Sequence, residues 1–313
     1  MYSGCILFAA TLAAFAADSS SLSGPVSGAV FDGRSQSVRL VTGYPGASLL
    51  ADTLISQIDS AEIAPNGGSA LIAKGGQLYA VWGLRGTNPV WTPLFSTSQG
   101  IDRIVWNRDS SAAAVYSAAA SSVTLITNIS SAGASQLTMG APAGISALAL
   151  PQSATSVIAA VAGGIYSLTA QGPPALLAPA TQPVALSLIH QDQDLLLLDA
   201  SMLQISEIVD YQGADQLVPF ATLPAGATSP VAVAASSDGR TVFVADAACN
   251  CVSTWDFATQ ALLNQVSVDN APAFLKPLNN GRQFVLNAPG DSTTPFWILD
   301  TATASVYFVS GGM

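Results

Sequence analysis

PVAVAASSDGRTVFVADAACNCVSTWDFATQALLNQVSV, residues 230–268, carries the architecture in miniature. Short apolar runs alternate with turn residues. Ser237-Asp238-Gly239-Arg240 reads as a hairpin turn, because Gly accepts a positive φ and the Asp side chain bonds its own backbone. Val242, Phe243 and Val244 are β-branched or aromatic and read as a strand. Ala258-Thr259-Gln260 breaks the chain again before the run Ala261 to Val268. Four strands in about 40 residues match one blade of a radially repeated sheet.

The unit recurs. The residues just before each second strand are Ser69, Ser111, Thr155, Gln193, Arg240 and Arg282, at intervals of 38 to 47 residues. Turn chemistry stands at each, as in Pro65-Asn66-Gly67-Gly68, Asn107-Arg108-Asp109-Ser110 and Asn279-Asn280-Gly281. One further step back reaches Ala29-Val30-Phe31-Asp32, which resembles Phe243-Val244-Ala245-Asp246. The first strand of that N-terminal unit is weak, since only Ser19 to Val26 is left for it. At the other end, Ser305 to Val309 is a fourth strand, with no spare strand after it to complete the first unit.

The expected fold is therefore all-β: a seven-bladed β-propeller of four-stranded antiparallel blades over residues 24–313, with about 27 strands. Six blades plus an incomplete N-terminal sheet is the alternative. Radial sheets bury both faces against their neighbours, so strands apolar on both faces fit, as in Leu195 to Leu198 and Val157 to Val161. A solenoid would need polar capping repeats, and a parallel α/β fold would need helical stretches between strands. Neither is legible here.

The unit from Pro230 to Asp269 resembles the YVTN family of β-propeller repeats, through its S-x-D-G turn, V-F-V-A-D strand and V-x-x-x-D strand with a Thr-containing turn. Phe296 to Thr303 is similar to the third-strand part of that unit. The resemblance implies the fold. It also points to lactonase-like and quinoprotein-like propellers, whose chemistry needs carboxylates, amides or a metal converging in the channel.

Composition narrows the function classes. Of 313 residues, 50% are hydrophobic and 9% charged, which excludes a disordered chain. The net charge of −10 and pI near 4.2 oppose binding to nucleic acid or anionic lipid. Cys5 to Ala17 is an uncharged apolar run, too short to span a bilayer but suited to the core of a signal peptide. Residues 1–17 are thus expected to be an export signal, followed by a Ser-rich segment at 18–23 and by secretion or a periplasmic location. The region before the run carries no Lys or Arg. A buried N-terminal segment is the competing reading. No membrane span is expected after cleavage, and a monomer is expected.

Catalytic resources are sparse: one His (His190) and two Glu (Glu62 and Glu207). His190 falls at a strand-to-strand turn, and any Ser/His/Asp triad would have to use it. Asp192-Gln193-Asp194 reads as a hairpin turn, with alternating carboxylates that could serve Ca²⁺. Asn128-Ile129-Ser130 has the form of a glycosylation sequon. Cys249-Asn250-Cys251 allows a local disulfide, two free thiols or a soft-metal site.

Loops that join one blade to the next surround a mouth of the channel and bring Asp59, Asp102, Arg103 and Gln182 there, with Glu62 on an inner strand. These are the candidate ligand-binding residues. No catalytic residue, metal ligand set or cofactor is assigned. The resulting expectation is an exported, non-catalytic binding or protein-interaction scaffold for an unknown protein or small molecule. A lactonase, hydrolase or quinoprotein-like enzyme is the alternative.

Overall fold

The computed structural model describes residues 25–86, 88–129, 133–213, 216–278, 281–288 and 296–311. The expected export signal, the Ser-rich segment and nearly all of the N-terminal unit's expected first strand lie outside them. So do Ser130 of the sequon and the turn residues Asn279 and Asn280.

The described chain is built of strands. An N-terminal set holds β1 (Val26–Asp32), β2 (Ser37–Thr42) and β3 (Leu49–Ser56). Five four-stranded sets follow. The first is β4 (Ser60–Ile63), β5 (Ser69–Lys74), β6 (Gln77–Trp82) and β7 (Val90–Ser96). The second is β8 (Arg103–Trp106), β9 (Ala113–Ser117), β10 (Ser122–Thr127) and β11 (Ser135–Gly140). The third is β12 (Ala147–Ala149), β13 (Val157–Val161), β14 (Gly164–Leu168) and β15 (Ala175–Ala178). The fourth is β16 (Pro183–Ile189), β17 (Asp194–Asp199), β18 (Gln204–Val209) and β19 (Gln216–Thr222). The fifth is β20 (Pro230–Ala235), β21 (Thr241–Asp246), β22 (Cys251–Asp256) and β23 (Leu262–Ser267). The chain ends with β24 (Lys276–Leu278), β25 (Gln283–Val285), β26 (Phe296–Asp300) and β27 (Ser305–Gly311).

The five middle sets are separate antiparallel meanders, as the short Gly- and Asp-containing turns between neighbouring strands dictate. The two ends of the chain fuse into one seven-stranded sheet of order β1-β2-β3-β27-β26-β25-β24. The joint is parallel: Ser310 pairs with Leu49, and Gly311 with Leu50.

Each buried cluster draws on two neighbouring sets. Leu71 and Leu78 meet Val115 and Ile126; Val123 and Leu125 meet Leu148 and Val157. Ile158 and Ile165 meet Leu195 and Leu197, and Leu196 and Leu198 meet Val242 and Trp255. Phe243 and Val252 meet Phe284 and Leu299. Val30 and Val41 meet Val285 and Ile298, and Ala29 and Val38 return to Ile72 and Val81. The interfaces thus run in a closed circle, and that circle is what defines a propeller. It also explains strands buried on both faces, such as β13 and β17.

The three-stranded N-terminal set bears on the site. By sequence its first described strand, β1, corresponds to a second strand elsewhere. Here β1 pairs only with β2, and its side chains pack beside the inner strands β4 and β24. Among the described residues the N-terminal set has no innermost strand. No helix among them is long and apolar enough to cross a membrane.

Candidate functional site

The acids expected at the channel mouth are engaged in holding turns. Asp59, just before β4, accepts the Gly75 N–H through Oδ2 at 2.8 Å. Asp102, just before β8, accepts the Ala118 N–H at 2.7 Å. Each ties an entering loop to the turn between the second and third strands of its own set.

In other sets an Asp at the end of the second strand does both jobs. Asp199 receives Thr181 and Gln182 N–H groups on Oδ2 and Ser201 and Met202 N–H groups on Oδ1. Asp246 receives Ser229, Ala248 and Cys249 in the same manner. Burial opposes ionisation of Asp199, but the Ser201 hydroxyl and the surrounding N–H groups outweigh it and hold the carboxyl below its ordinary value.

Arg103 donates from Nε to the Ile145 carbonyl at 3.1 Å, linking the β8 set to the loop before β12. Gln182 is exposed, and its N–H serves Asp199. Asp59, the adjacent pair Asp102 and Arg103, and Gln182 therefore stand at three separate entering loops, and Asp59, Asp102, Arg103 and the Gln182 N–H each have their own partner. A groove of about 530 Å³ beside β14 and β17 is lined by Thr181, Met202 and Ser206, and its one acid is the committed Asp199.

Glu62 is different. On β4 it faces Leu71 across the ladder, and its Oε2 meets Lys276 Nζ of β24 at 2.5 Å. The pair spans the place where the N-terminal set lacks an inner strand. Beneath it is a cavity of about 100 Å³ walled by Val30, Phe31, Ile63, Phe274 and Leu278. Loss of solvent raises the Glu62 pKa above its ordinary value, and the charge and hydrogen bond of Lys276 pull it partly back. Lys276 also lies 4.9 Å from the Phe274 ring centroid.

The structure assembles one group that the sequence reading kept apart. His190 lies in the β16–β17 turn, Asp194 opens β17 and Glu207 is on β18, and their ligand-type atoms all lie within 4.8 Å of one another. His190 Nδ1 is 2.6 Å from Asp194 Oδ2. Glu207 is held above its ordinary pKa by loss of solvent first and by the Asp194 charge second, against a smaller pull from His190. His190, Gln191 and Asp192 all have positive φ, at 49°, 58° and 68°. That geometry turns Asp192 away from Asp194, so its Oδ2 accepts the Gln152 N–H of the preceding set. The two carboxylates of Asp192-Gln193-Asp194 accordingly do not converge as a Ca²⁺ loop would require.

Cys249 and Cys251 are joined by a disulfide in the β21–β22 turn, with Cα atoms 5.2 Å apart. The intervening Asn250 sits at φ 49°.

A closed ring of antiparallel sheets packed face to face makes the chain a β-propeller. Solved structures agree on the fold. Virginiamycin B lyase from Staphylococcus aureus matches at a TM-score of 0.55 and 12% identity, over 80% of this chain and 83% of that one. A functionally unknown protein from Desulfotomaculum acetoxidans matches at 0.63 and 10%, over 92% and 100%. Sqt1 from Saccharomyces cerevisiae matches at 0.58 and 12%, over 92% and 86%. At these identities the likeness shows the fold alone. No family model and no curated protein sequence matches the chain.

Proposed function

We propose that the chain is an exported, non-catalytic binding scaffold of YVTN-type repeats that receives an unknown protein or small-molecule ligand at the cavity between β1, β4 and β24. One observation carries this reading: the acid and the base lining that cavity, Glu62 and Lys276, neutralise each other over an apolar floor. Such a surface suits an uncharged or apolar ligand group and offers no free general base. Asp59 and Asp102, engaged with backbone N–H groups, point the same way. The lyase neighbour shares the fold only, so its activity gives no ground for an enzyme here.

The test is made on protein recovered after export, as wild type and Glu62→Gln. Intact mass is expected to lack about the first 17 residues, and to be two hydrogens lighter than the reduced chain. Lactone and ester hydrolysis are expected at background, and metal content is expected to be independent of Glu62. Turnover or a stoichiometric metal lost on Glu62→Gln would establish an enzyme and overturn the scaffold.

A further inference from the structure

We propose that His190, Asp194 and Glu207 form a binding site for one divalent transition-metal ion at the boundary between the fourth and fifth four-stranded sets. Two of the ligands stand on a rigid ladder. Leu196 faces Glu207 across β17 and β18, so Asp194, two residues before Leu196, lies on the same face as Glu207. That face meets the next set, as the packing of Leu196 against Val242 and Trp255 shows. His190 is brought onto it by the tight turn and is fixed from outside. Its ring stands edge-on to Phe257 of the fifth set, with centroids 4.7 Å apart and planes at 88°.

The orientation of the acids is likewise supported. Asp194 Oδ1 accepts the Asp210 N–H at 2.8 Å, which aims Oδ2 at the imidazole. Outer partners of this kind orient metal ligands. Among the described residues no hydrogen-bond donor reaches the Glu207 carboxylate, which nonetheless sits half-buried beside a second carboxylate. Two carboxylates with one imidazole leave a negative centre that a doubly charged cation balances. The net charge of −10 favours its approach.

The donor set selects the ion. One imidazole nitrogen and two carboxylate oxygens suit Zn²⁺ or Mn²⁺, whereas Ca²⁺ prefers an all-oxygen shell and Cu(I) prefers sulfur. Ligand bonds of about 2.0–2.2 Å place coordinating atoms roughly 3–3.5 Å apart, so binding opens the 2.6 Å His190–Asp194 hydrogen bond while the Glu207 carboxylate draws in. The half-exposed side chain of Glu207 has the rotamer freedom to do so. His190 is exposed, so the remaining coordination positions open to water.

His190 is the only histidine in the chain, which makes its ring protons an unambiguous probe. In a titration of the purified protein with Zn²⁺ followed by proton NMR, the imidazole signals are expected to shift and saturate at one equivalent. Glu207→Gln, which leaves the His190–Asp194 contact intact, is expected to weaken the response by roughly tenfold or more. Asp194→Asn should do the same, and Glu62→Gln should leave it unchanged. That control separates this site from the cavity beside Glu62. Imidazole signals unmoved by millimolar Zn²⁺, or moved identically in Glu207→Gln, would reduce the cluster to a His–Asp hydrogen bond.

Discussion

Asp199 concentrates in one residue what holds the entering loops in place. Its two oxygens gather four backbone N–H groups and the Ser201 hydroxyl. Asp199→Asn would set an amide N–H₂ or a weaker acceptor against those donors, at a cost of about 2–3 kcal/mol. The sign of the pH dependence follows from the direction of the shift. A carboxyl whose folded pKa is depressed contributes fully above its unfolded value near 3.8, and that contribution is lost as pH falls through the folded value. Urea midpoints of wild type and Asp199→Asn should therefore lie well apart at pH 7 and closer together at pH 3. A gap of equal size at both pH values would show that the negative charge is not what matters.

The position of this acid recurs in the sequence, since Asp32 and Asp246 both close an apolar second strand before a turn, but its tie to the entering loop is not written in any local motif. The metal cluster was not legible either. Bringing Glu207 to Asp194 depends on the β17–β18 register, and neither residue carries a local motif.

At the level of the strand, the repeat spacing located the second strands well, from Ser69 at the head of β5 to Gln283 at the head of β25. It did not reveal how the inner position beside β1 is filled. The answer is close packing of Leu278 from β24 against the bare backbone of Gly28, where an added Cβ would collide with the leucine side chain. No turn chemistry at Gly28 signals this, since the constraint comes from a strand about 250 residues further on. Gly28→Ala is accordingly expected to destabilise by about 1–3 kcal/mol through overpacking. Leu278→Ala removes the opposing atoms, so Gly28→Ala/Leu278→Ala should be no less stable than Leu278→Ala alone. A double-mutant cycle by chemical denaturation reads the coupling directly, and additive losses would place the strain elsewhere.

The whole molecule has a seam where its first and last sets meet. On the outside the seam is held by the parallel joint of β27 with β3, and on the inside Glu62 on β4 of the following set reaches past the N-terminal set to Lys276 on β24. An ion pair this far apart in sequence forms only when the ring has shut, so it reports closure. Lys276→Met would leave Glu62 among apolar groups without its counter-charge, and burial already raises its pKa. An acid whose folded pKa is raised takes up its proton more readily when folded, so stability falls as pH rises above the ordinary value of 4.5. The Lys276→Met variant should thus be close to wild type near pH 4–5 and weaker by about 1–2 kcal/mol at pH 8, the partial exposure of both groups limiting the loss. Adding Glu62→Gln should remove most of that pH dependence, because no charge is left to strand. Thermal melts of the three proteins across this range make the comparison. If Lys276→Met melted in parallel with wild type at every pH, water would be reaching Glu62 freely, and the neutralised apolar cavity on which ligand binding is argued would not exist.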